Sequence, residues 1–165
     1  VISAYLVGDE QLLERLRALR DAVNAGLARC IAQLGIDLQR DVQQDKLSGQ
    51  VLKIRTGGLK SSLDYSVDQS VRGATAEVFT ALRYGGAQEY GFTGTVSVGA
   101  SLRRIRQAFG RPIAEKTISV RVYDRRMSLP ERSFLRAALD DMTPAIRDAV
   151  DTAVAEAVSD WENSQ

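Results

Sequence analysis

Arg55-Thr56-Gly57-Gly58-Leu59-Lys60-Ser61-Ser62-Leu63 is the stretch at which the chain changes character. Helical spacing fills the residues before it, and strand-like alternation follows. Its paired glycines accept the positive φ that a side chain resists, so a turn is expected, with Leu59 and Leu63 facing inward on a short helical stretch. Lys60 and Ser61 invite a phosphate-loop reading. That reading fails because Leu59 stands where the motif needs glycine, and no strand with an upstream glycine precedes it.

Upstream, residues 2–7 alternate weakly and predict a short strand ended by Gly8. Asp9 can cap a helix in which Leu12, Leu16, Leu19, Val23, Leu27, Ile31, Leu34 and Leu38 recur every three or four residues. This is an amphipathic helix facing a core. Gly26 and Gly35 are expected to kink or break it into two segments between about Asp9 and Leu47.

Downstream, Leu63 to Ser70 and Ala74 to Leu82 predict an antiparallel hairpin turning at Arg72-Gly73, with one face covered. Tyr84-Gly85-Gly86-Ala87-Gln88-Glu89-Tyr90-Gly91 turns the chain off it. From Thr93 to Tyr123, two β-branched runs, Thr95 to Val98 and Thr117 to Val122, are expected to pair. Leu102, Ile105 and Phe109 lie between them among Arg103, Arg104 and Arg106, in a long basic tip with room for a helical turn. A connection of this length within a small domain points to function. The last segment is helical. Ser128 or Leu129-Pro130 starts it, Phe134 and Leu135 are its first buried anchors, and Pro144 is expected to kink it or restart it after Thr143. The fold class is α+β: an antiparallel sheet packed against a long N-terminal helix and a C-terminal helix. At 165 residues the chain fits one domain, 1–165, with a hairpin arm at about 93–123.

Composition narrows the function. Histidine is absent, which removes Ser-His, Cys-His and His-metal constellations together. Cys30 is alone and sits in a helical apolar stripe, where it reads as a small buried hydrophobe without a disulfide or a thiolate cluster. Glu89, between Tyr84 and Tyr90, has no second acid at catalytic spacing and reads as a carboxylate that pins the turn. No catalytic residue, metal ligand or cofactor is expected. No apolar run approaches the ~18 residues of a membrane span, and the opening residues lack the basic start of a signal peptide, so neither membrane nor leader is expected.

Three segments stand in a fixed order: Arg55-Thr56-Gly57-Gly58-Leu59, then Tyr84 with Glu89 and Gly91, then Pro130-Glu131-Arg132-Ser133-Phe134-Leu135. In that order they resemble the small neck and tail-completion proteins of tailed bacteriophages, the group of lambda's minor tail protein Z and the virion-morphogenesis protein of Mu-like phages. Members typically read R-T-G-x-L, then Y-A-x-x-x-E-x-G, then R-P-F-L-x-x-A-L. The third segment departs from the pattern, since Glu131 separates Pro130 from Arg132 and Ser133 precedes Phe134. The resemblance covers roughly residues 50 to 140. It implies a virion protein at the head–tail junction, assembled in the host cytoplasm as a ring, hexameric by the resemblance, around the DNA channel. Its implied neighbours are the connector, tail terminator and tail tube. A tail terminator or a head-completion protein shares the same small α+β plan.

The net charge of +1 hides an asymmetry. Arg103, Arg104, Arg106 and Arg111 make the tip basic, while Asp148, Asp151 and Glu156 belong to an acidic C-terminal helix. Such polarity suits subunits that meet head to tail, with Leu102, Ile105 and Phe109 as apolar anchors in a neighbour. The same four arginines could instead meet DNA phosphates in a lumen without reading sequence, or serve a free nucleic-acid-binding protein.

Overall fold

The N-terminal leucine pattern builds one helix, α1 (Asp9–Asp41), which continues directly into a π-helical segment, Val42–Gln50. A computed structural model describes residues 9–53, 56–70 and 73–163. The strand expected at residues 2–7, Arg55, and Arg72 of the expected turn lie outside them. Two compact units emerge: residues 1–85 with 133–165, and residues 86–132.

In the first unit, Gly26 and Gly35 do not break α1. At both, a neighbouring element comes close to the helix. A Cβ on Gly26 would lie 3.1 Å from Ala157 Cβ in the C-terminal helix α4 (Phe134–Asn163). On Gly35 it would lie 3.0 Å from Ala76 Cβ in β2 (Gly73–Thr80). Missing side chains let the neighbouring elements close on the helix, and that packing outweighs the poor helix propensity of glycine. The register change comes later, at Val42, and ends at Gly49 with φ 139°. Lys46 O there accepts from the N–H groups of both Val51 and Leu52.

Thr56-Gly57 delivers the chain into a single turn of helix, α2 (Gly58–Ser61). Gly57 takes the left-handed φ of 74° expected of the pair, whereas Gly58 is helical. β1 (Leu63–Ser70) then pairs antiparallel with β2, from Leu63↔Thr80 to Ser70↔Gly73. Leu63, Tyr65, Val67, Ala76, Val78 and Thr80 turn away from solvent while Asp64, Ser66 and Glu77 face it. The buried cluster is Val42, Leu47, Leu52, Leu63, Phe134 and Ala138, with Leu38, Leu59, Val78 and Leu135 packed on it. Phe134 is fully buried, worth about 1.5–3 kcal/mol of transfer free energy. At the N-terminal end of α1 the expected core stripe does not hold. Leu12 and Leu16 are more than half exposed.

α4 begins at Phe134, later than the Ser128 or Pro130 start expected, because residues up to Leu129 are paired in a strand. It runs through Pro144 without a restart. One charge is buried at its edge. Lys46 Nζ donates to Gln50 Oε1 at 2.9 Å and to the carboxylate of Asp141 on α4. The Asp141 bond, opposed by burial, holds the ammonium above its usual pKa. Asp41, nearby, has a buried Oδ2 without a hydrogen-bond partner. Burial first, then Asp45 and Asp141, push its carboxyl up against the pull of Lys46.

The second unit holds four strands: β3 (Phe92–Val98), β4 (Ser101–Ala108), β5 (Arg111–Val120) and β6 (Tyr123–Leu129). The short helix α3 (Arg83–Glu89) spans the boundary between the units. Thr95 to Val98 do not pair with Thr117 to Val122 as expected. They pair with Arg126 to Tyr123, while Val120 to Thr117 pair with Ser101 to Arg104. No helical turn forms between the runs, since Arg103 and Arg104 lie in a strand opposite Ile118 and Thr117. β-propensity selects strands but not partners. Register follows from the closing turn, here the two residues Phe109-Gly110. β3–β6 and β4–β5 are consecutive lengths of one hairpin, interrupted at residues 99–100 and 121–122.

Candidate functional site

The three ordered segments gather in different places. Leu59 packs on the cluster that contains Phe134, with Leu135 beside it. Tyr84 Oη lies 3.1 Å from where a Cβ on Gly58 would stand, with Thr56 Oγ1 next to it. Thr56 to Leu59, Tyr84 and the Phe134-Leu135 pair therefore shape one unit's core and its margin. Glu89 and Gly91 lie in the other unit. Glu89 is buried, and Gly91 has φ 74° with Glu131 N 2.9 Å from a Cβ position. Pro130 follows β6, and Arg132 N donates to Gln88 O at 2.9 Å. These residues have structural surroundings.

The basic residues line the β4–β5 ribbon. Cross-strand partners share a face, as do residues two apart on a strand. Leu102 and Arg104 therefore lie on one face with Ser119 and Thr117, and Arg103 and Ile105 on the other with Ile118 and Lys116. The expected anchor group is thus split. Leu102 is 77% exposed, and Ile105 is half-buried on the opposite side. Between Ile105 and Gln107 the register shifts, because β5 carries extra residues there. Glu115, in that bulge, pairs with Arg106 at 2.8 Å and Arg104 at 3.6 Å. Arg103 and Arg111 make no ion pair among the described residues. Phe109 closes the turn with φ 52°, followed by Gly110 at 77°, and its side chain is fully exposed.

The acidic residues belong to α4. Asp148 and Glu156 project beside a cleft of about 660 Å³ between α1 and α4, and Asp160, one further turn on, joins them. Asp151 is exposed but lines no part of it. Ala149, Ala153, Ala157 and Gly26 also line this cleft, and a Cβ on Gly26 would lie 3.1 Å from Ala157 Cβ. Asp160 and Gly26 are members that sequence reasoning missed. The available signal was the four-residue repeat Asp148, Thr152, Glu156, Asp160 beside an alanine stripe.

Charge divides with the units. Residues 86–132 carry nine basic and four acidic side chains and the remainder thirteen and seventeen, giving net charges of +5 and −4. Among the described residues no cluster of three or more acidic or cysteine side chains is arranged to hold a metal ion, and no helix is long and apolar enough to cross a membrane. Comparison with protein-family models, curated proteins and solved structures finds no match to this chain.

Proposed function

We propose that this chain is a structural subunit of a larger assembly, a neck or tail-completion component of a tailed-phage virion that forms a ring at the head–tail junction. One observation carries the assembly part. Residues 86–132 contain no buried hydrophobic side chain; the one side chain buried there is that of Glu89. Two-stranded ribbons without a covered apolar face are marginally stable in water. Yet Tyr90, Leu102, Phe109, Val122 and Tyr123 of this unit are 47% exposed or more. A partner that covers these residues completes the unit. The opposite net charges of the two units supply the unlike, complementary surfaces that a head-to-tail ring requires. The virion assignment rests on the ordered Arg55–Leu59, Tyr84–Gly91 and Pro130–Leu135 segments. On that resemblance the ring is a hexamer and its neighbours are the connector, tail terminator and tail tube.

Deleting the coding sequence from the genome that carries it, followed by electron microscopy of the lysate, tests the proposal. Separate heads and tails, or tails with aberrant ends, are expected, with rescue by the gene in trans. Intact infectious particles would refute it.

A further inference from the structure

The turn at the end of the β4–β5 ribbon is built against local preference. Two-residue turns with both φ values positive favour Asn-Gly, since a bulky side chain in the left-handed region costs about 1–2 kcal/mol. Here the first position is Phe109, at φ 52°, and its ring makes up for none of that cost by burial. Local stability does not account for an aromatic residue at this place. Contact with something outside the ribbon does.

What that something is follows from the flanking charge. Arg111 sits directly beside the turn opposite Ala108, on the face of Arg104, and Arg103 and Lys116 lie back along the other face. A duplex is the less favoured occupant, because Glu115 already holds Arg104 and Arg106 and places a carboxylate where phosphates would run. The chain itself carries a receptor of the opposite sign. The α1–α4 cleft has a floor of small side chains, Gly26, Ala153 and Ala157, and a rim of Asp148, Glu156 and Asp160 against one guanidinium, Arg29. None of those three carboxylates is in an ion pair among the described residues.

We infer that Phe109 of one copy inserts into the α1–α4 cleft of a second copy, with Arg111 beside it meeting the carboxylates of its rim. The inference rests on the assembly reading above and names its contact. Each copy offers one tip and one cleft, so the contact is heterologous and propagates from copy to copy.

The native cysteine supplies the probe, because Cys30 lines the cleft and is the chain's single thiol. Ala108→Cys keeps Phe109 and puts a second thiol beside the tip. Oxidation of the full chain by diamide at low salt, which takes two electrons from each thiol pair and is itself reduced to the hydrazine, is expected to yield a ladder of disulfide-linked oligomers. The ladder should vanish with Cys30→Ser, except for symmetric dimers, and should weaken in high salt. Phe109→Asn suits the turn better than phenylalanine and so cannot act by unfolding it, yet it should cut ladder yield at least tenfold. The triple change Asp148→Asn, Glu156→Gln, Asp160→Asn should do the same. Mixing a tip-dead with a cleft-dead chain, each with both thiols, should restore a single cross-linked dimer and nothing longer.

A ladder unchanged by both variants, no ladder above the Cys30→Ser control, or a disulfide formed within one chain would each overturn the inference. So would Phe109-dependent retention of a short DNA duplex in place of a ladder. The lysate phenotype is independent of these results, so the tip contact can fail while the assembly reading stands.

Discussion

Replacing Asp141 with Ala should destabilise the helical unit by about 2–3 kcal/mol, because it strands a buried ammonium. Lys46 is 5% exposed, and its Nζ has two acceptors, the Asp141 carboxylate and Gln50 Oε1. Breaking a buried pair typically costs about 3–5 kcal/mol. The lower figure applies here because Asp141 itself is 66% exposed and because Gln50 remains. For a unit of this size about 4 °C is lost per kcal/mol, so the melting midpoint should fall by roughly 8–12 °C. The assay is a double-mutant cycle by urea and thermal denaturation with Asp141→Ala, Lys46→Met and both. The double variant should recover most of the loss, since it has no unpaired charge left to bury. The raised pKa of Lys46 means that the folded state holds its proton more tightly than the unfolded chain. Its stabilisation is therefore complete below about pH 10.4 and disappears as pH climbs through the folded value. An Asp141→Ala midpoint within 1–2 °C of the parent, or a double variant no better than the single, would refute the reasoning.

Asp41 runs in the opposite sense. Its raised pKa makes the native state bind a proton more readily than the unfolded chain, so stability declines as pH rises from about 3.9 through the folded value. Asp41→Asn should add roughly 1 kcal/mol at pH 7 and nothing near pH 3, as read by denaturation at both values. Gly26→Ala should be nearly neutral, with helix propensity offsetting the 3.1 Å approach of Ala157. Gly26→Val should cost about 1–3 kcal/mol by forcing α1 and α4 apart, measured the same way. Phe109→Asn should slow amide exchange in β4 and β5 by about fivefold, the equivalent of about 1 kcal/mol, by relieving the left-handed phenylalanine. Phe134→Ala should cost about 3–5 kcal/mol in denaturation of the helical unit and leave the ribbon's amide exchange unchanged.

Periodicity alone determined the α+β class, the β1–β2 hairpin to within two residues at its end, and the burial of Phe134, because each depends on spacing within one element. Gly57 was legible as a turn from the conformational freedom of glycine, and the basic tip and acidic helix from the order of charges along the chain. Tertiary structure decided the rest. Gly26 and Gly35 read as breaks until the helix and strand they admit are brought against them. Thr95 to Val98 carry no mark of their partner, since a strand's register is set by a turn eleven residues away at Phe109. Lys46 and Asp141 stand 95 positions apart, and nothing local to either foretells the other. The α1–α4 cleft likewise joins Gly26 to Asp160. Composition and spacing encode what a segment buries. What it is buried against is a property of chain closure, which becomes fixed when distant surfaces meet.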